Sequence, residues 1–142
     1  YKFFSIVFVL IASGGSPDRF GDLNDDLSGH DAVDSAVRGC FAGGKAPGVV
    51  NTIDFITIAT EGNATDFGDL TDQRRNVSGN SNGVRGTFSA GTTGGSGTGN
   101  NLNIIDFITI ASTGNASDFG DLTNPKRCSE MGGSDSHGGL TR

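Results

Sequence analysis

The stretch that decides the fold of this chain is Asn51-Thr-Ile-Asp-Phe-Ile-Thr-Ile-Ala-Thr-Glu-Gly-Asn-Ala-Thr-Asp-Phe-Gly-Asp-Leu-Thr71. It returns almost letter for letter as Asn103-Ile-Ile-Asp-Phe-Ile-Thr-Ile-Ala-Ser-Thr-Gly-Asn-Ala-Ser-Asp-Phe-Gly-Asp-Leu-Thr123. A more divergent copy is Phe8-Val-Leu-Ile-Ala-Ser-Gly-Gly-Ser-Pro-Asp-Arg-Phe-Gly-Asp-Leu23. Three alanines end the apolar parts of the copies and stand 47 and then 52 residues apart: Ala12, Ala59 and Ala111. Near-identical segments at a spacing of about 50 residues indicate a repeat architecture.

A second repeated element defines the rest of each repeat. Val37-Arg-Gly-Cys-Phe41 precedes the middle copy, and Val84-Arg-Gly-Thr-Phe88 precedes the last one. We therefore predict a single repeat array over residues 1–142. Its parts are a partial repeat at 1–27 with third and fourth strands only, full repeats at 28–72 and 73–123, and a partial repeat at 124–142. A glycine-rich insertion at 91–101 accounts for the longer second spacing, and such insertions are tolerated in surface loops.

The composition favours short strands joined by turns. Apolar residues make up 34% of the 142 residues, glycine occupies 24 positions, and the formal net charge is −6. No stretch carries helical periodicity. The acidic balance argues against nucleic acids and anionic membranes as partners, because both attract clusters of lysine and arginine. The longest apolar run is too short for a helix that spans a membrane.

Glycine, asparagine, aspartate and serine clusters divide a full repeat into four candidate strands, at 73–78, 83–88, 53–59 and 65–70. Along 53–59 both faces of the strand carry apolar side chains, which indicates a sheet packed on both sides. We therefore predict an all-β fold of about two and a half tandem four-stranded units. The residues expected to pack between units are Phe8, Ile53, Phe55, Ile56, Ile58, Phe67, Ile105, Phe107, Ile108, Ile110 and Phe119.

The apolar run at residues 3–12 has two interpretations. After Lys2 it resembles the apolar core of a secretory signal. Its register with the internal copies favours a strand of the mature protein, because a signal peptide has no reason to align with an internal strand.

The state of the two cysteines has two interpretations as well. Cys40 and Cys128 could form a disulfide or remain thiols, and their spacing matches no metal site.

Candidate binding chemistry is confined to the turns. Asp66, Asp69, Asp118 and Asp121 are candidates for calcium coordination, although the same residue types also bond to their own backbone in turns. Asn63, Asn76 and Asn115 each begin an Asn-x-Ser/Thr sequence and are candidates for glycosylation.

No catalytic constellation can be assembled from the sequence. His30 and His137 stand alone in loops of small and acidic residues, without a nucleophile at a repeated position. We therefore predict no catalytic residues and no cofactor, and that the chain is not an enzyme.

The repeat resembles two known groups of proteins. Arg38-Gly-Cys-Phe-Ala-Gly-Gly44, followed by Phe55 and Phe67, is similar to a kelch-type β-propeller blade, although the chain has no tryptophan. Ile-Asp-Phe-Ile-Thr-Ile-Ala with Asp-Phe-Gly-Asp-Leu resembles repeats in environmental phage virion or appendage proteins and in surface proteins of uncultured aquatic microbes. That second resemblance implies a structural or adhesive role.

The number of repeats gives a functional expectation. Propellers close with four or more blades, and fewer are present here. We expect strands of neighbouring molecules to complete the outer units, or the chain to be a fragment of a longer repeat protein. The sequence thus predicts a structural subunit of an extracellular or virion-associated fibre, assembling as a homo-oligomer or filament. The alternative is an adhesin module that binds glycans or another surface.

Overall fold

The computed structural model describes residues 5–94 and 100–127, and these form only β-strands and turns, with no α-helix. The first sheet contains β1 (Ser5–Phe8) and β2 (Asp18–Asp22). The second sheet contains β3 (Asp31–Asp34), β4 (Arg38–Ala42), β5 (Thr52–Thr57) and β6 (Thr65–Asp69). The third sheet contains β7 (Ser78–Ser81), β8 (Arg85–Ser89), β9 (Leu102–Thr109) and β10 (Ser117–Lys126).

Each four-stranded sheet is an antiparallel meander, in which strands that follow one another along the chain are neighbours in the sheet. Short polar turns make this order possible. Between β3 and β4 the Ser35 hydroxyl accepts a hydrogen bond from the Arg38 backbone N–H at 3.1 Å. Between β7 and β8 the Asn82 side chain accepts one from the Arg85 backbone N–H at 2.8 Å. Serine and asparagine stabilise turns in this way, by replacing a backbone acceptor.

The prediction of an all-β fold is confirmed, and three of the four strand positions are close to those observed. The first strand of a repeat is the exception, because we predicted 73–78 and β7 begins only at Ser78. Asn76 has a φ of 55°, which a strand residue does not adopt. The Arg74 side chain is fully buried against the next sheet. Residues 74–77 therefore form a connection between two sheets.

The hydrophobic core lies between consecutive sheets. One cluster joins the second and third sheets and is built around Ile53, Phe67, Phe88 and Ile108. The other joins the first and second sheets, where Leu23, Leu27 and Ala64 are covered by side chains that include Ile56. Ile53 and Ile56 both belong to β5, so the two faces of this strand pack against two different neighbours.

Cys40 is free and fully buried in β4. Burial raises the pKa of its thiol to about 11, against the opposing effect of Arg38. Cys128 and His137 lie outside the described residues, as does the centre of the predicted insertion at 95–99. None of the described residues belongs to a helix of the length and apolarity needed to cross a membrane.

Candidate functional site: the junctions between the sheets

Consecutive sheets meet at two junctions that use equivalent residues. We call the contact between the first and second sheets the first junction, and the contact between the second and third sheets the second junction. Each has a turn paired with an edge strand and a buried carboxylate. Because both features recur at the same register, the junction is the repeated polar site of this fold.

At the first junction, the turn that connects β5 to β6 pairs with the outer strand β2. The Gly62 N–H donates to the Phe20 carbonyl at 3.0 Å, and the Ala64 N–H donates to the Asp22 carbonyl at 2.8 Å. Between them, the Asn63 side-chain oxygen accepts from the Asp22 N–H at 3.1 Å. The turn therefore satisfies backbone groups that an edge strand would otherwise leave unpaired.

The second junction repeats this pairing on the next strand. The Gly114 N–H donates to the Phe67 carbonyl, and the Ala116 N–H donates to the Asp69 carbonyl, both at 2.8 Å. The Asn115 side-chain oxygen accepts from the Asp69 N–H at 3.1 Å. The Gly-Asn-Ala turn thus supplies two backbone donors and one side-chain acceptor to the Phe-Gly-Asp strand, which we call the acceptor strand.

The glycine of each acceptor strand is required by the close approach of the turn. A Cβ at Gly21 would overlap the Gly62 carbonyl, and a Cβ at Gly68 would lie 2.5 Å from the Gly114 carbonyl oxygen. The equivalent position in β10 is Gly120, where a Cβ would meet open space among the described residues.

A fully buried carboxylate holds the inner part of the second junction. Asp106 of β9 accepts from the Thr71 N–H at 3.0 Å and from the Thr71 hydroxyl at 2.6 Å. It also forms a salt bridge of 2.9 Å with Arg74, whose side chain is fully buried as well. Arg74 donates to the Phe88 carbonyl at 3.1 Å. Thr71 and Arg74, which follow β6, thereby bind a buried side chain of the third sheet.

The first junction has the same carboxylate without the cation. Asp54 of β5 accepts from the Asn24 N–H at 3.2 Å and from the Asn24 side-chain amide at 2.6 Å. Leu27 occupies the sequence position of Arg74 and packs in the core. Burial raises the pKa of Asp54, the Asn24 hydrogen bonds oppose this rise, and the charges of Asp66 and Asp25 add to it.

Edge-to-face phenylalanine pairs join the third and fourth strands of every unit. Their ring centroids are 6.2 Å apart for Phe8–Phe20, 6.0 Å for Phe55–Phe67 and 5.9 Å for Phe107–Phe119. The surroundings differ, because Phe67 is 3% exposed and Phe119 is 58% exposed. Phe20, at 8% exposed, is buried like Phe67, whereas no described residue covers Phe119 to the same degree.

Among the described residues, the outer edge of the third sheet is therefore an acceptor that no turn occupies. We call it the open face and define it by Phe119, Gly120, Asp121, Thr123 and Lys126. Within residues 5–94 and 100–127, no turn pairs with this edge as residues 62–64 and 114–116 pair with the edges before it.

The remaining packing residues predicted from the sequence are buried to different degrees. Ile110 is fully buried, whereas Ile58 is 46% exposed. Three predicted residues of β9 and one of β1 are partly or fully shielded: Ile105, Phe107, Ile108 and Phe8.

The calcium candidates lie on two different strands, Asp66 and Asp69 on β6 and Asp118 and Asp121 on β10. The Asp118 carboxylate accepts from the Gly120 N–H at 2.9 Å, as in a local turn. In the part of the chain that the structure describes, no three acidic, histidine or cysteine side chains lie close enough to hold a metal ion.

The glycosylation candidates differ in exposure. Asn63 and Asn115 are exposed, and each uses its side-chain oxygen at a junction. Asn76 is half-buried in the connection before β7.

Sequence reasoning missed the buried carboxylates and their partners. Asp54 and Asp106 are the single charged residues in otherwise apolar segments, and they occupy the same repeat position. A charge retained inside a strand that is buried on both faces requires a partner, and that signal could have identified the junction.

Comparison with known proteins finds a similar fold among solved structures but does not assign the chain to a family. No family model matches the sequence, and no curated protein matches it. Among solved structures, 90 chains match. One is a novel fungal alcohol oxidase with catalytic diversity among the AA5 family, in complex with copper, with a TM-score of 0.63 and 13% sequence identity. The match covers 78% of this chain and 26% of the oxidase chain, so the chain spans about a quarter of that protein.

This likeness contradicts the prediction that the chain is not an enzyme, because the same fold occurs in a copper oxidase. At 13% identity it shows the fold alone. Copper in proteins is held by imidazole nitrogen, sulfur and oxygen ligands. His30 and Cys40 are the histidine and the cysteine of the described residues, and they form no cluster with further ligands. The described residues therefore do not fit a copper site.

Proposed function

We propose that this chain is a structural subunit of an extracellular or virion-associated fibre, in which repeat units are added in series through the junctions. The observation that carries the proposal is the repetition of one junction with the same hydrogen bonds at two places. Its acceptor half is present a third time at the open face, with Phe119 exposed.

The chemistry of the junction suits serial addition. Each junction combines backbone hydrogen bonds, which fix the register, with an apolar cluster between the two sheets. In repeat proteins of this kind, stability comes from each unit and from its contacts with the nearest neighbours. Every added unit then covers one acceptor strand and presents a new one, so the array can be extended by a neighbouring molecule.

The matched region is only 26% of the oxidase chain, so tandem sheets of this fold occur within a longer polypeptide. The kelch-like propeller, closed into a ring, is the architecture that competes with an open fibre.

A series of tandem duplications tests the fibre against the ring. Chains in which residues 73–127 are present two, three and four times would be studied by small-angle X-ray scattering. A fibre predicts that the maximum dimension increases by the same amount with every copy. If the dimension stops increasing after a few copies, the units close into a ring and the fibre proposal is wrong.

A glycan array with the unmodified chain tests the adhesin hypothesis from the sequence. Saturable binding to one class of glycan would favour a binding module, and the duplicated chains would serve as a control for avidity.

A further inference from the structure

The open face carries more than an unpaired edge, because its residues match those that bind a buried carboxylate in the second junction. Thr123 follows Asp121 at the distance at which Thr71 follows Asp69. Lys126 likewise corresponds to Arg74. The backbone confirms this equivalence, because the Arg74 carbonyl accepts from the Gly44 N–H at 2.9 Å and the Lys126 carbonyl accepts from the Gly91 N–H at 3.1 Å.

The strand ladders also identify which residue each sheet presents at the carboxylate position. In the second and third sheets, Asp54 pairs with Asp66 and Asp106 with Asp118, next to a bulge. In the first sheet, Val7 pairs with Arg19 beside the same bulge. Val7 is therefore the counterpart of the two buried aspartates, and it is 57% exposed.

The turn of the first sheet is also changed. By sequence register, Gly15-Ser16-Pro17 takes the place of Gly62-Asn63-Ala64. Proline has no backbone N–H, so Pro17 cannot make the hydrogen bond that Ala64 donates to Asp22. The Ser16 side chain is shorter than that of Asn63, which spans the distance to the Asp22 N–H.

We propose that the open face binds a repeat unit of a neighbouring molecule that carries an aspartate in its third strand and a Gly-Asn-Ala turn. The first sheet of a second copy of this chain is a mismatched partner, because it offers Val7 and Pro17 at the decisive positions. Thr123 and Lys126 hold the incoming aspartate, as Thr71 and Arg74 hold Asp106. This inference rests on the proposed fibre, since it names the partner for one of its ends.

The experiment converts the mismatched sheet into a matched one. In the triple variant Val7→Asp, Ser16→Asn and Pro17→Ala, each copy presents the missing carboxylate, amide oxygen and N–H to the open face of another. Sedimentation velocity should show head-to-tail oligomers of the variant at a concentration on the order of 100-fold below that at which the unmodified chain associates, because three polar contacts are added. Equal association of the two proteins would overturn the proposal.

A charge exchange supplies the matched control. Lys126→Glu in the triple variant places two carboxylates together and should restore the behaviour of the unmodified chain. Placing lysine at position 7 and glutamate at position 126, with the other two changes kept, should recover association. Val7 and Lys126 are exposed, so each variant should fold, which circular dichroism would verify. If neither exchange changes the association, Lys126 does not bind the residue at position 7 of the partner.

The experiments can refute the fibre and the partner of the open face independently of each other. If the duplicated chains close into a ring while the triple variant gains association, the fibre is wrong and the partner rule stands. If the duplicated chains extend while the triple variant gains nothing, the fibre stands and the partner rule is wrong.

Discussion

Replacing Asp106 by asparagine should be far more damaging than the same change at Asp54, although both residues occupy the same position in the repeat. The Asp106 carboxylate neutralises Arg74, and both side chains are fully buried. An asparagine has one acceptor oxygen and no charge, so it cannot serve Thr71 and neutralise the guanidinium as the carboxylate does. Breaking a buried ion pair by removing one partner costs about 3–5 kcal/mol.

The change at Asp54 removes no ion pair. An asparagine there keeps one oxygen that can accept from Asn24, so the expected loss is that of a single hydrogen bond, about 0.5–1.5 kcal/mol. Removal of a buried charge offsets part of this loss, since burial already disfavours the ionised form of Asp54.

Urea unfolding at pH 7, followed by circular dichroism, measures both free energies by linear extrapolation. The double variant Arg74→Met with Asp106→Asn is the control, because the asparagine keeps an oxygen for Thr71 and no buried guanidinium is left without its carboxylate. Equal losses for Asp106→Asn and Asp54→Asn, or a double variant as unstable as Asp106→Asn alone, would refute the reasoning.

Three further predictions concern the pKa of Asp54, the glycines of the acceptor strands and the burial of Cys40. Because burial raises the pKa of Asp54 above its ordinary 3.8, the folded chain binds this proton more tightly than the unfolded chain. The free energy of unfolding should therefore fall as pH rises from 3.8 through the raised pKa, and Asp54→Asn should abolish that contribution in a pH series of urea titrations. Gly68→Ala should lower the melting temperature more than Gly120→Ala. Both glycines have similar positive φ values, 146° and 140°, but only Gly68 faces a neighbouring carbonyl. Equal shifts would show that backbone strain alone determines the loss of stability. In a Cys128→Ser variant, Cys40 should react with a thiol reagent at pH 8 only after urea is added, because its pKa is about 11 and it is fully buried; fast reaction of the folded chain would contradict this burial.

Much of the strand pattern can be read from the sequence because the chain repeats itself. Two copies of the same apolar segment give the third strand and its register, and glycine with asparagine gives the turn that follows. The prediction of the first strand at 73–78 is wrong, because the burial of Arg74 depends on the carboxylate of Asp106, 32 residues further along. No local pattern carries that information.

The candidate site was harder to predict for the same reason. Asp66-Phe67-Gly68-Asp69 and Asp118-Phe119-Gly120-Asp121 are identical in sequence. One phenylalanine is nevertheless buried and the other is exposed. The difference arises from the turn of the following sheet, so the environment of this segment is a property of its neighbour. The prediction that the chain is not an enzyme failed for a different reason. It rested on the absence of catalytic residues in the sequence, and such a search cannot show that an oxidase has a similar fold.

The difference between the two junctions has a consequence for folding fidelity. Tandem segments that are nearly identical can pair in the wrong order, and repeat proteins misfold in this way. Here a third sheet packed on the first would place Asp106 beside Leu27, without a cation, and would leave Arg74 without its carboxylate. The apolar strand common to the sheets supplies a general affinity of one sheet for another. The residues that follow Phe-Gly-Asp-Leu determine which sheet comes next, so the chain encodes the order of its own repeats in a few polar positions.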